Sequence, residues 1–107
     1  SSWFLMTLIT EIYGVKGEMG MLKLEPKLSS NYFDKNNQSV ISTIFSTYKI
    51  KVVYQNLNKL SYDDYRITGL RVNDVNVDII STEKSLIIEN FNLFSKYHIN
   101  KIYVELN

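Results

Sequence analysis

The chain has 107 residues, of which 45% are apolar and 21% charged, and its formal net charge is +1. That length supports one hydrophobic core, and the near-neutral balance gives no general pull toward nucleic acid or an acidic membrane. Because cysteine is absent, disulfides, thiolate metal sites and cysteine nucleophiles are excluded.

The first element is apolar over most of its circumference. The run Ser1-Ser2-Trp3-Phe4-Leu5-Met6-Thr7-Leu8-Ile9-Thr10-Glu11-Ile12-Tyr13-Gly14 predicts a helix, with serines suited to capping its amides and Gly14 to the left-handed residue that ends it. Leu5, Leu8, Ile9 and Ile12 fall on one stripe at spacings of three and four, which should face the rest of the chain. Trp3, Phe4, Met6 and Tyr13 widen the apolar surface beyond what one sheet can cover. Residues 1–14 are therefore expected to be the last helix of a larger body, and residues 15–107 a C-terminal β domain. Left alone, the surplus surface should drive a homodimer through Trp3, Phe4 and Met6. The roughly 11 apolar-rich residues are too few for a bilayer, which needs about 20. No basic region or cleavage site marks a signal peptide, so a cytoplasmic chain without membrane contact is expected.

After Gly14 the period changes from helical to alternating. Val15 to Gly20, with glycines at 14, 17 and 20, predicts a loop. Met21 to Glu25 predicts a half-buried strand with Leu22 and Leu24 on one face, stopped by Pro26. Ser29 to Asn37 is polar and turn-rich. Val40–Phe45 and Tyr48–Gln55 predict a hairpin turning at Ser46-Thr47, with Tyr48, Ile50, Val52 and Tyr54 facing in and Lys49 and Lys51 solvated. Asn56 to Asp64 is a loop. Arg66–Val72 and Val75–Ile80 predict a second hairpin at Asn73-Asp74, residues that tolerate positive φ. Leu86-Ile87-Ile88 is a short strand. His98 to Leu106 closes the set, with Ile102, Val104 and Leu106 inward and Tyr103 and Glu105 outward. One helix followed by six or seven short strands implies a mainly β chain, an antiparallel, jelly-roll-like β-sandwich.

Little in the sequence points to catalysis. His98 is the single histidine, without the partner that a metal site or general base needs. Asp63-Asp64 are adjacent on one loop and cannot flank a glycosidic bond across a cleft. The glycines from 14 to 20 follow a helix and precede a strand, the wrong order for a phosphate cradle at a helix N-terminus. Tyr48 and Tyr54 lie on the core face. Tyr62, Tyr65 and Tyr103 are the candidate sugar-stacking platform. No catalytic residue, metal or cofactor is expected.

Ser1-Ser2-Trp3, the apolar helix, Tyr13-Gly14-Val15-Lys16-Gly17 and Leu22-Lys23-Leu24-Glu25-Pro26-Lys27-Leu28 resemble the C-terminal end of the cellobiose-phosphorylase-like enzymes, glycoside hydrolase family 94, formerly glycosyltransferase family 36. There a serine/alanine stretch and a tryptophan open the last barrel helix. A Gly-Ile/Val-Arg/Lys turn ends it, and a Leu-x-Ile/Leu-Asp/Glu-Pro strand follows. Tyr48–Tyr54 and Leu70-Arg71-Val72-Asn73-Asp74 look like the family's closing strands, with Asp74 in place of a usual glycine. Lys16 and Glu25 take places often held by Arg and Asp.

The resemblance implies a parent that is a cofactor-independent inverting glycoside phosphorylase of carbohydrate metabolism. In it, inorganic phosphate attacks the anomeric carbon of a β-glucoside to give an α-sugar 1-phosphate. The catalytic aspartate lies upstream in an (α/α)6 barrel. A phosphate-holding Thr-Gly pair would lie just before Ser1, which places Ser1, Ser2 and Trp3 at the edge of the parent's phosphate site. The leading expectation is a non-catalytic domain that buttresses this barrel. An independent sugar-binding module and a protein-interaction domain stay open beside it.

Overall fold

A computed structural model describes residues 2–107. Ser2–Thr7 form α1, and a wider π-helical turn continues it over Leu8–Ile12. The hydroxyls of Thr7 and Thr10 donate back to the carbonyls of Trp3 and Met6 at 3.1 and 2.9 Å, a bond that competes with the helical ladder. The turn closes through the amide of Tyr13, which donates to the carbonyl of Leu8 at 3.0 Å, an i→i+5 bond.

This change of winding breaks the expected stripe. Ile9, Ile12 and Tyr13 pack against the core, whereas Leu5 is 52% exposed. A stripe at spacings of three and four holds only while the winding stays α, and the packing on the core is made by Ile9, Ile12 and Tyr13.

Among the described residues eight strands follow. They are β1 (Val15–Glu18), β2 (Met21–Leu24), β3 (Gln38–Phe45), β4 (Tyr48–Gln55), β5 (Ile67–Val72), β6 (Val75–Val77), β7 (Leu86–Ile88) and β8 (Asn100–Leu106). The loop expected over Val15–Gly20 is instead a hairpin with β2. Its glycine-rich spelling hides a strand because Gly17 lies under the Phe45 ring, and the turn uses positive φ at Met19 and Gly20, as two-residue hairpins require.

The strands form two sheets, β1-β2-β7 and β3-β4-β8-β5-β6. The first is antiparallel. The second is mixed, because β8 runs parallel to β4, with Ile50 beside Asn100 and Gln55 beside Glu105. The all-antiparallel expectation fails at this one pairing. Alternation in a sequence fixes which face a residue takes, but carries no strand direction.

One core joins the sheets. Leu22, Leu24 and Ile88 from the small sheet meet Ile50, Val52, Tyr54, Leu70, Val72, Ile102 and Val104 from the large one. Phe91 stacks on Phe45 and Tyr48, and Phe94 packs tilted on Tyr48 and edge-on to Phe91, with ring centroids between 5.1 and 5.9 Å. Asn100 is fully buried. Its amide donates to the carbonyls of Lys49 and Ser95 and accepts from Asn73 and the Ser95 amide. A buried side-chain amide with all its groups paired costs little to bury, and this one aligns the start of β8 with β4.

Candidate functional site

Two surfaces stand out once the fold is in place: the junction where the opening helix meets the sheets, and the outer face of the five-stranded sheet. The junction is built from the segments that carry the family resemblance. Gly14 has a φ of +68°, and a Cβ built there would lie 1.9 Å from the carbonyl oxygen of Glu25. Only glycine permits that approach. It allows the amides of Glu25 and Lys27 to donate to the carbonyls of Gly14 and Ile12, both at 2.8 Å.

Two tyrosine hydroxyls complete the joint. Tyr54, on β4, donates to the carbonyl of Tyr13 at 2.6 Å. Tyr65 accepts the amide proton of Leu28 at 2.8 Å and donates to the carbonyl of Pro26 at 3.1 Å. Desolvation by burial pushes the Tyr65 phenol up to about 12, against an ordinary value of 10.0, and the nearby Tyr62 adds to the rise. Burial raises Tyr54 further still.

The helix leaves this joint with its first turn uncovered. Trp3 is 76% and Met6 62% exposed. Of the three residues expected at the edge of a phosphate site, Ser1 lies outside the described residues and Ser2 stands at the start of α1. Trp3 stands on the uncovered turn.

The three candidate platform tyrosines are not brought together. Tyr65 is 1% exposed, so it belongs to the core and offers no stacking surface. Its position two residues before Ile67 puts both on the inward side, a parity visible once β5 is extended backwards. Tyr62 is exposed in the 56–64 loop, where its carbonyl and that of Asp63 accept the Lys84 ammonium at 2.7 and 2.6 Å. Tyr103 lies on the outer face of β8. One side of its ring is occupied by the Arg71 guanidinium, 4.2 Å from the centroid, and its hydroxyl donates to Gln55 at 3.2 Å. Arg71 escapes a sequence reading because its meeting with Tyr103 depends on the β5–β8 register.

Lys49, Lys51 and Lys101 share that outer face with Arg71, and Lys51 stands beside Lys101 in register. Among the described residues the ion pairs are those of Lys23 with Glu18 and Glu25, at 3.7 and 3.9 Å, and Lys49, Lys51 and Lys101 are exposed to solvent.

A cleft of about 240 Å³ between Phe33, Asp34, Lys35, Asn56 and Lys59 is closed chemically by its own turns. Asp34 accepts the amides of Asn36 and Gln38, and Asn56 exchanges two bonds with Leu60. His98 and the Asp63-Asp64 pair are exposed in bends and turns. Among the described residues no group of three or more His, Asp or Glu side chains could hold a metal ion, and no helix is long and apolar enough to cross a membrane.

Compared with known proteins, the chain matches no family model and no curated protein sequence.

Proposed function

We propose that this chain is a non-catalytic β domain that braces a helical body through its first helix, and that the body is the (α/α)6 barrel of an inverting glycoside phosphorylase. In this reading the two sheets are the layers of a jelly-roll-like sandwich. The helix belongs to both partners: its C-terminal turn is fixed to the β domain, and its N-terminal turn enters the barrel. The observation that carries the reading is this asymmetry. The turn at Ile12–Gly14 is held by Glu25, Lys27 and Tyr54, while Trp3, Leu5 and Met6 present apolar area that the β domain leaves uncovered. Burying a large apolar side chain contributes about 1.5–3 kcal/mol, enough for three of them to hold a joint.

The identity of the body is taken from the family resemblance, whose residues include those that build the joint. In such a parent, phosphate is the nucleophile, one upstream carboxyl is the general acid, and this domain fixes the phosphate loop at the helix N-terminus.

The decisive experiment is to sequence the coding region 5′ of the Ser1 codon. Several hundred residues of helical barrel with a catalytic aspartate are expected; a reading frame that opens with a short leader overturns the proposal. The chain alone, given phosphate and cellobiose or laminaribiose, should release no sugar 1-phosphate, and sustained turnover would also overturn it. Gluco-oligosaccharides should bind no tighter than millimolar, about −4 kcal/mol. Micromolar binding lost in Tyr62→Ala or Tyr103→Ala would favour a sugar-binding module instead.

A further inference from the structure

The edges of the two sheets are treated differently. An open edge presents unpaired amides and carbonyls, and proteins blunt such edges with short strands, charge, proline or bulges. Three of the four edges here follow that rule. β6 spans three residues between Asp74 and Asp78, β7 spans three, and β1 is a four-residue strand carrying Lys16, Gly17 and Glu18. The fourth, β3, has eight residues, Gln38-Ser39-Val40-Ile41-Ser42-Thr43-Ile44-Phe45. It has no charge, no proline and an unbroken register against β4, and Ile44 on it is 69% exposed.

The hydrogen bonds fix which part of this edge is open. Alternate residues of an antiparallel edge strand turn their N–H and C=O outward. Gln38 is one of these: its carbonyl accepts the Asp34 amide and its amide donates to the Asp34 carboxylate, at 2.8 and 3.0 Å. The same parity assigns Val40, Ser42 and Ile44 outward backbone groups. With Gln38 capped by the Asp34 turn, the open run is Val40 to Ile44, and it is centred on Ser42.

We propose that this run is an intermolecular pairing edge, occupied by β3 of a second copy of the chain in antiparallel register about a two-fold axis at Ser42. That register sets Val40 against Ile44 of the second copy and Ser42 against its own counterpart, so apolar meets apolar and hydroxyl meets hydroxyl. All the open backbone groups of the run then pair at once.

The charge pattern fits self-pairing. Twelve residues, Asn36 to Thr47, carry no ionisable side chain. The nearest cation rows, at Lys49 and Lys51 on β4, would lie three strand spacings from their counterparts, about 14 Å, beyond the physiological screening length of about 8 Å. The two five-stranded sheets would merge into one continuous sheet. This surface adjoins the α1 turn used in the proposed brace, since Ile44 and Met6 line one cleft, and the variants below alter β3 alone so that the two are tested separately.

The test is sedimentation velocity of the intact chain over a concentration series, with two double variants. V40E/I44E places like charges opposite each other across the axis twice, and V40K/I44E places opposite charges there. The loss of Val40 packing on Val53 is common to both. The chain should dimerise, V40E/I44E should raise the dissociation constant by at least about tenfold, and V40K/I44E should restore pairing. Should V40E/I44E fail to fold, amide exchange of the unaltered chain decides: the amides of Val40, Ser42 and Ile44 should become protected as concentration rises. A strict monomer with fast exchange at those amides overturns the proposal. So does a dimer equally sensitive to both variants, or one lost only when Trp3 and Met6 become serine; that last outcome leaves the brace standing.

Discussion

The two ends of the opening helix face opposite demands, and the contrast shows how a short segment can be rigid and sticky at once. At its C-terminal end, Ile12 to Gly14 is locked by three backbone or hydroxyl hydrogen bonds between 2.6 and 2.8 Å, over a glycine that no other residue can replace. At its N-terminal end, Trp3 and Met6 are exposed apolar surface whose removal should cost the domain little. Stability is concentrated in one turn, and surface for association in the next.

The largest expected effect breaks the locked end. Gly14→Ala drives a Cβ into the Glu25 carbonyl and should cost more than about 4 kcal/mol, the range kept for severe backbone or core damage. Gly20→Ala is the control: its φ is +79° with open space around it, so only the left-handed cost of about 1–2 kcal/mol applies. Urea titration of both variants measures the difference, and equal losses would show that the close approach is unimportant.

A smaller loss is expected from the hydroxyl of Tyr65. Tyr65→Phe keeps the ring but leaves the buried Leu28 amide without its acceptor, at a cost of about 1–3 kcal/mol. The midpoint of chemical denaturation reports it.

Alkali should find the same joint. Tyr65 is protonated and hydrogen-bonded in the native state, with its pKa pushed up to about 12 from 10.0. A phenol raised in this way stabilises the fold fully below pH 10 and loses that contribution as pH climbs through 12. Absorbance of tyrosinate should therefore show Tyr54 and Tyr65 ionising only as the circular dichroism of the sheets is lost. Ionisation of Tyr54 and Tyr65 while the sheets stay intact would contradict their burial.

The smallest effect belongs to the exposed end. Trp3→Ser with Met6→Ser should change the unfolding free energy by less than about 0.5 kcal/mol, measured by the same urea titration. A large loss would mean that the first turn supports the domain after all.

Much of this architecture can be read from residue order. The β3–β4 hairpin follows from two alternating runs around Ser46-Thr47, and the β5–β6 turn at Asn73-Asp74 adopts φ of 50° and 68°, as those residue types suggest. What escapes is whatever depends on a distant partner. β1 is disguised by glycines whose purpose, accommodating Phe45 and Glu25, lies in other parts of the chain. The inward turn of Tyr65 is hidden because a tyrosine between aspartates and an arginine looks solvated until its parity with Ile67 is noticed. Of the candidate site residues, the exposure of Trp3 and Tyr62 was legible from their surroundings. The cover that Arg71 places over Tyr103 was not, since no local signal states which strands lie side by side.

The position of β8 has a consequence for how the chain reaches this state. β8 lies between β4 and β5, so the hairpins β3–β4 and β5–β6 can each form early, within microseconds. Neither has its neighbour until Asn100 to Leu106 slides between them. The slow step is then the closure of a loop of some fifty residues between Ile50 and Asn100, paid in chain entropy before any long-range contact is gained. Folding in milliseconds to seconds is the corresponding regime. Throughout that interval the uncharged β3 edge and the unfilled slot beside β4 are both exposed, so the same chain is most prone to pair with its neighbours just before it completes itself.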